Sequence, residues 1–172
     1  MNADELKAMQ APLKEQYKTN PGSAMITLRA RGRATERIAC KVETGRALVE
    51  AGLHPATGGD GSFACSGDML LEALVACAGV TLRAVASAIG VNLTDAVVSA
   101  EGDLDFRGTL GVAKEAPVGF QRIRLAFALT TDATEEQLAT LIRLTERYCV
   151  VYQTLRNIPE ISVSRNTIAE TA

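Results

Sequence analysis

Ser66-Gly67-Asp68-Met69-Leu70-Leu71-Glu72-Ala73-Leu74-Val75-Ala76-Cys77-Ala78-Gly79-Val80-Thr81-Leu82 is the stretch on which the fold of this chain is decided. Apolar residues recur in it at helical spacing. Ser66-Gly67-Asp68 supplies a start and Gly90 a stop, so the spacing predicts a helix over 68–89. At about 100° per residue, Asp68 falls opposite Cys77, and Glu72 and Arg83 fall roughly 120–140° from it. Leu70, Ala73, Leu74, Val80 and Thr81 share the face of Cys77, which makes that face apolar. Ala73, Ala76, Ala78 and Gly79 are small enough to admit a second element at close range. Burial among apolar groups raises a thiol's pKa and leaves it inert. Two readings of Cys77 therefore stand: a packed core residue, or a nucleophile that receives a positive charge from elsewhere in the fold.

Downstream, Ala96–Phe106 and Phe120–Thr130 read as a strand hairpin across a loop containing Gly108, Gly111 and Pro117. Thr134-Glu135-Glu136-Gln137 is a capping box, and the helix it opens carries Leu138, Leu141, Ile142 and Thr145 on one face. Cys149 follows it and opens a second helical run, Val150 to Leu155. Amides at the start of that run would favour a Cys149 thiolate, and the alternative is a packed residue at a helix junction. Ile161–Ser164, after Pro159, reads as a closing strand.

Upstream, Ala3–Thr19 reads as an amphipathic helix ended by Asn20-Pro21-Gly22. Ala24–Ala30 reads as a strand, and Glu36–Val42 with Arg46–Ala51 as a hairpin about Glu43-Thr44-Gly45. Arg29, Arg31, Arg33, Arg37 and Arg46 occupy outward positions, as a solvated sheet face or with one of them reaching a buried site. The glycine-rich loop His54–Ser62 matches neither phosphate-binding glycine motif and reads as a tight connection. With no repeat, low-complexity tract or linker, residues 1–20 form a helical extension and 21–172 a single domain.

The 172 residues, 47 % hydrophobic and 22 % charged, are enough for one ordinary core and exclude a disordered or disulfide-stapled chain. A net charge of −2 leaves no electrostatic footprint for nucleic acid or an anionic membrane. The single histidine, His54, excludes His-rich metal sites and a Ser-His-Asp triad, and the lack of tryptophan argues against base stacking. Met69–Leu82, the longest nearly apolar stretch, is shorter than the roughly 20 residues of a membrane span. No secretory h-region opens the chain, and a cytoplasmic location is expected. The four cysteines form no CxxC or zinc-ligand spacing, so no metal site is expected. Cys40 alternates with Ile38 and Val42 and reads as core. Cys65 reads as packed or as an alternative resolving thiol, and His54 as a loop residue.

The Gly59-Asp60-Gly61 loop, the Ser66–Leu82 helix and the later Glu146-Arg147-Tyr148-Cys149 segment together resemble the OsmC/Ohr family. That family comprises the osmotically inducible and organic-hydroperoxide-resistance proteins, and the order of elements fits it from about Ala24 to Ser164. The resemblance implies an α+β fold, an antiparallel sheet with two central cysteine-bearing helices, built as an intertwined homodimer. It implies thiol-dependent reduction of organic hydroperoxides without metal, flavin or haem. Carried over, Cys77 is the peroxidatic thiolate and Cys149 the resolving thiol, with an external dithiol reducing their disulfide. The activating arginine comes from the early strands, where spacing favours Arg37 and then Arg33. Two residues depart from the pattern: Gly67 stands where the family's peroxidases carry a glutamate, and Val150 where they carry a proline. The other readings are a non-catalytic dimer of the same fold binding a small apolar ligand, and a thiol redox sensor.

Overall fold

The structure is a computed structural model that describes residues 31–35, 39–44, 47–111 and 114–166, with single helical positions at Asp4, Glu5, Ala8, Ala11 and Thr19; over 31–48 it describes the backbone alone. The rest of the expected Ala3–Thr19 helix, the expected strand Ala24–Ala30 and Arg37 lie outside the described residues.

The described residues form two sheets, one long helix and shorter helices. Strands β1 (Arg31–Thr35), β2 (Ala39–Thr44) and β3 (Ala47–Gly52) form an antiparallel meander. A two-residue strand, β4 (Ala64–Cys65), joins β3 in parallel. Between β3 and β4 the His54–Ser62 loop makes a 3-10 turn, Pro55–Thr57, whose start is capped by His54 Nδ1 accepting the Ala56 N–H at 3.0 Å. Helix α1 (Ser66–Ile89) leaves β4 directly and ends where Gly90 adopts φ 73°, a left-handed conformation that costs glycine nothing.

Strands β5 (Leu93–Leu104) and β6 (Phe120–Thr131) are twelve-residue partners in an antiparallel hairpin, with a one-turn helix α2 (Phe106–Thr109) in their connection. Their side chains alternate between exposed and half-buried along both strands, as period-two geometry requires. Val98 and Phe127, Ala100 and Leu125, and Gly102 and Ile123 are paired on the inner face. At Gly102 an added Cβ would lie 2.3 Å from the Phe120 ring, so only glycine admits this close approach.

Helices α3 (Glu135–Tyr148) and α4 (Val150–Arg156) complete the layer beside α1. The capping box is formed in full: Thr134 Oγ1 accepts the Gln137 N–H, and the Gln137 side chain accepts the Thr134 N–H. Leu74, Ala78, Leu82, Val85 and Ala86 form the buried stripe of α1. Leu82, Val85 and Ala86 pack with Val91, Leu93 and Leu141, while Leu74 and Ala78 pack with Cys149.

Two expectations are corrected. By length and composition α1 is long and apolar enough to cross a membrane, because the helix continues beyond Arg83 to Ile89. It is nevertheless the helix that carries the core stripe, packed against the hairpin and α3. Residues 161–166 form no strand: Ile161 and Val163 alternate outward, Val163 at 93 % exposure. A strand needs a ladder partner, and the described part of this single chain offers none to that segment.

Leu82 is fully buried, and truncating it to alanine should cost about 2–5 kcal/mol in urea unfolding. Thr134→Ala, which removes only a cap, should cost about 1 kcal/mol. Equal losses from the two would mean that α1 is not the spine of the core.

Candidate functional site

The second site element is built by hydrogen bonds that pin one residue between two helices. Cys149 is both the end of α3 and the cap of α4, with φ −72° and ψ 109°. Its N–H donates to the Thr145 carbonyl at 2.9 Å, and its carbonyl accepts the Gln153 N–H at 2.9 Å. Thr145, fully buried, turns its hydroxyl back to the Leu141 carbonyl. Gln153 Nε2 donates to the Glu146 carbonyl at 2.8 Å, which ties the start of α4 to the end of α3. The Cys149 sulfur accepts the Tyr152 N–H at 3.5 Å, as a capping oxygen does at other helix starts.

Cys77 comes from the middle of α1, and the structure brings it together with Cys149. The two thiols interact directly, within one cluster that includes Leu74, Ala78, Val151 and Tyr152. Their electrostatics diverge. Burial pushes the Cys77 thiol up, but the neighbouring amides of Val151 and Val150, the Cys149 thiol and the Thr81 hydroxyl outweigh it and together hold its pKa below the ordinary thiol value. Burial pushes the Cys149 thiol up, the Tyr152 amide opposes this, and a neighbouring Cys77 thiolate adds to the rise, so its pKa lies above the ordinary value.

One expectation is met only in part. The first amides of α4 were expected to favour a Cys149 thiolate; those of Tyr152 and Val151 do lower its pKa but are outweighed by burial and by Cys77, while those of Val150 and Val151 lower Cys77. A side chain at the capping position reaches only the N–H two or three residues on. The free amides of the first residues point outward along the helix axis, and α1 sets Cys77 there. Thr81, expected on the face of Cys77 but given no role there, donates its hydroxyl to the Cys77 carbonyl at 2.8 Å one turn away. Its i+4 spacing was the available signal.

The expected cation remains outside the picture. Arg37 is not described and only the backbone of Arg33 is. Among the described residues, the groups that lower Cys77 are amides, a thiol and a hydroxyl. Asp68 and Glu72 are exposed on α1, and Arg83 Nη1 donates to the Leu93 carbonyl at 2.6 Å. Val80, expected on the Cys77 face, is 73 % exposed, so that side of α1 stands open in the single chain.

Cys65 caps the start of α1, twelve residues before Cys77, which places it about 18 Å away along the helix. A disulfide spans at most about 7 Å between Cα atoms, so Cys65 is no resolving partner for Cys77 of the same chain. It lines a cavity of about 370 Å³ with Gly67, Leu104 and Phe120. His54 lines it too, stacked on Phe106 at 5.0 Å. A Cβ at position 67 would meet the Phe120 ring, the Cys65 sulfur and Leu104 at 3.5–3.7 Å.

A larger cavity, about 600 Å³, opens beside the cysteine pair. Leu74, Ile123, Leu125, Phe127, Tyr152 and Leu155 line it and also belong to the cysteine cluster. Arg122, Arg124, Glu146 and Arg156 add polar groups to its wall.

The family model described as OsmC-like protein matches residues 59–164. The chain belongs to the OsmC-like family. The matched span contains α1, the hairpin and both cysteine-bearing elements. Solved structures agree in fold. An OsmC-like protein from Mycoplasma pneumoniae is similar at 16 % identity and a TM-score of 0.65, over 77 % of this chain and 89 % of that one. An organic hydroperoxide resistance protein OsmC from Legionella pneumophila is similar at 16 % identity and a TM-score of 0.61, over 77 % and 91 %. An organic hydroperoxide resistance protein from Elizabethkingia anophelis gives 16 %, 0.62, 78 % and 91 %. At such identities these likenesses establish the fold alone. No curated protein matches the sequence.

Val150→Pro removes one amide donor while keeping a residue well suited to the first helical position. A thiolate hydrogen bond of about 1 kcal/mol corresponds to roughly fivefold, so Cys77 alkylation by iodoacetamide near neutral pH should slow by about that factor. In the parent protein the Cys77 rate should rise with pH and reach half its plateau below the ordinary thiol value, with Cys149 doing so above it. Peptide-resolved alkylation against pH measures both. An unchanged Cys77 midpoint in Val150→Pro would show that the amide does not act on the thiolate.

Proposed function

We propose that this protein is a thiol-dependent peroxidase for organic hydroperoxides, using Cys77 and Cys149. The observation that carries the reading is that half-buried Cys77 packs with Cys149 and Val151 at the start of α4, surroundings that hold its thiol below the ordinary value. A thiolate is the nucleophile that peroxide chemistry needs. The Cys77 thiolate attacks the outer peroxide oxygen, the O–O bond breaks, and the alcohol departs with a proton, leaving a sulfenic acid on Cys77. The Cys149 thiol displaces water from that sulfenic acid and forms the disulfide. Two electrons then come from an external dithiol. The neighbouring 600 Å³ cavity supports an organic substrate, because its apolar side chains suit an alkyl group better than hydrogen peroxide. Membership of the OsmC-like family, and neighbours named for organic hydroperoxide resistance, support a peroxide-related redox role.

A homodimer is part of the proposal. Leu70, Ala73, Ala76 and Val80 are exposed along one side of α1, beside Cys77, and Ile161 and Val163 are exposed on an unpaired segment. A second copy would cover both, and it could bring Arg37 or Arg33 to the thiolate. A cytoplasmic location fits the three described cysteines, which are all free thiols. The same cavity favours, as a second reading, a non-catalytic carrier of a small apolar ligand.

Peroxide consumption with a dithiol as reductant separates these readings. Wild type should consume cumene hydroperoxide faster than hydrogen peroxide and lose two hydrogens by intact mass. Cys149→Ser should retain a trappable sulfenic acid, and Cys77→Ser should be silent. If all three proteins consume peroxide equally slowly and no disulfide forms, the peroxidase reading fails and the carrier reading takes its place.

A further inference from the structure

We propose that the external dithiol attacks the Cys77–Cys149 disulfide at the Cys77 sulfur, so that Cys77 meets both the peroxide and the reductant while Cys149 stays in the protein interior throughout. This rests on the proposed thiol chemistry and extends it to the reducing half of the cycle.

Thiol–disulfide exchange is an in-line displacement, and the incoming thiolate must approach the attacked sulfur from the side away from the leaving sulfur. Cys149 offers no such approach. It is 1 % exposed within the single chain, packed on Leu74 and Ala78, and its backbone is bonded to Thr145 on one side and Gln153 on the other. Assembly with further chains can only bury it more deeply. Cys77 is half-buried, and although the proposed second copy covers the open side of α1 beside it, the proposed peroxide step requires that a path to its sulfur stays open. The same path admits a dithiol.

Leaving-group chemistry opposes this choice, since the thiol with the lower pKa leaves faster and that thiol is Cys77. Access decides, because a sulfur without exposed surface reacts only when the α3–α4 junction opens, whereas leaving-group ability merely scales a rate. Burial then assists the following step. The thiolate released on Cys149 takes up a proton, since its pKa lies above the ordinary value, and as a thiol it attacks the mixed disulfide poorly. The reductant's second thiolate displaces Cys77 instead. The first exchange breaks the Cys77–Cys149 bond and forms a reductant–Cys77 bond. The second breaks that bond, closes the reductant's own disulfide and frees the Cys77 thiolate, so two electrons pass from the dithiol to the protein, one of its protons ends on Cys149 and the other goes to solvent.

The test uses no peroxide. Full-length protein is oxidised with diamide, mixed briefly with 2-mercaptoethanol, quenched in acid and mapped by peptide mass. The adduct should sit on the Cys77 peptide. Separately, DTNB should label Cys77 in Cys149→Ser about tenfold or more faster than Cys149 in Cys77→Ser, and guanidinium should erase the difference. Adduct on Cys149, or equal labelling of the two native variants, overturns this inference and leaves the peroxidase reading intact. If diamide forms no Cys77–Cys149 disulfide, the two-thiol reading falls and this inference falls with it.

Discussion

A single extended residue between two helices governs the site. Because α3 ends and α4 begins on Cys149, the chain changes direction within one residue, and that turn determines where the first amides of α4 point. Those amides have no partner inside their own helix. Had α4 left at another angle, they would face water and Cys77 would be an apolar core thiol of the inert kind. The same turn folds the Cys149 sulfur inward beneath the Tyr152 amide. Two chemically identical side chains thus acquire opposite shifts from one backbone geometry: the donors outweigh burial at Cys77, and burial with the neighbouring Cys77 outweighs the donors at Cys149.

For the turn to matter, α1 must carry Cys77 up to it. The small residues of α1 make this possible: Ala78 has no exposed surface, and a larger side chain there would push α4 away from the helix. Leu74, about one turn before Cys77, and Ala78, immediately after it, lie on its inner flank, while Ala76 and Val80 lie on its exposed flank. Cys77 therefore occupies the margin between the core and an open apolar face. The membrane-like hydropathy of α1 has the same origin, since both flanks are apolar and only one is covered within the chain.

Much of this architecture was legible because it is local. The bounds of α1 follow from its apolar period and Gly90, the capping box marks α3 to the residue, and alternation marks the β5–β6 hairpin. Both cysteines stood out because they lie on helices of recognisable pattern. What was not legible depends on contacts between distant elements. The service of the Val150 and Val151 amides to Cys77 requires the packing of α4 on α1, which no spacing encodes. Ile161–Ser164 has the alternation of a strand, yet alternation describes one face and says nothing of the edge it needs.

The two departures from the family pattern bear on the same charge. Position 67 faces Phe120, Leu104 and the Cys65 sulfur, surroundings in which a carboxylate would lose solvation without gaining a partner among those three. Glycine avoids that cost. Position 150 carries a valine, which keeps the N–H that a proline would lack, and that N–H donates to Cys77. One change removes an acidic group that would hold a cation, and the other adds a neutral donor at the thiolate. Neutral donors fixed by a helix start act at contact range inside the fold, where salt screens little. The thiolate of Cys77 is thus favoured by the chain's own backbone before any arginine arrives. An arginine brought in by assembly would add to that preference and orient the substrate, without being its sole source.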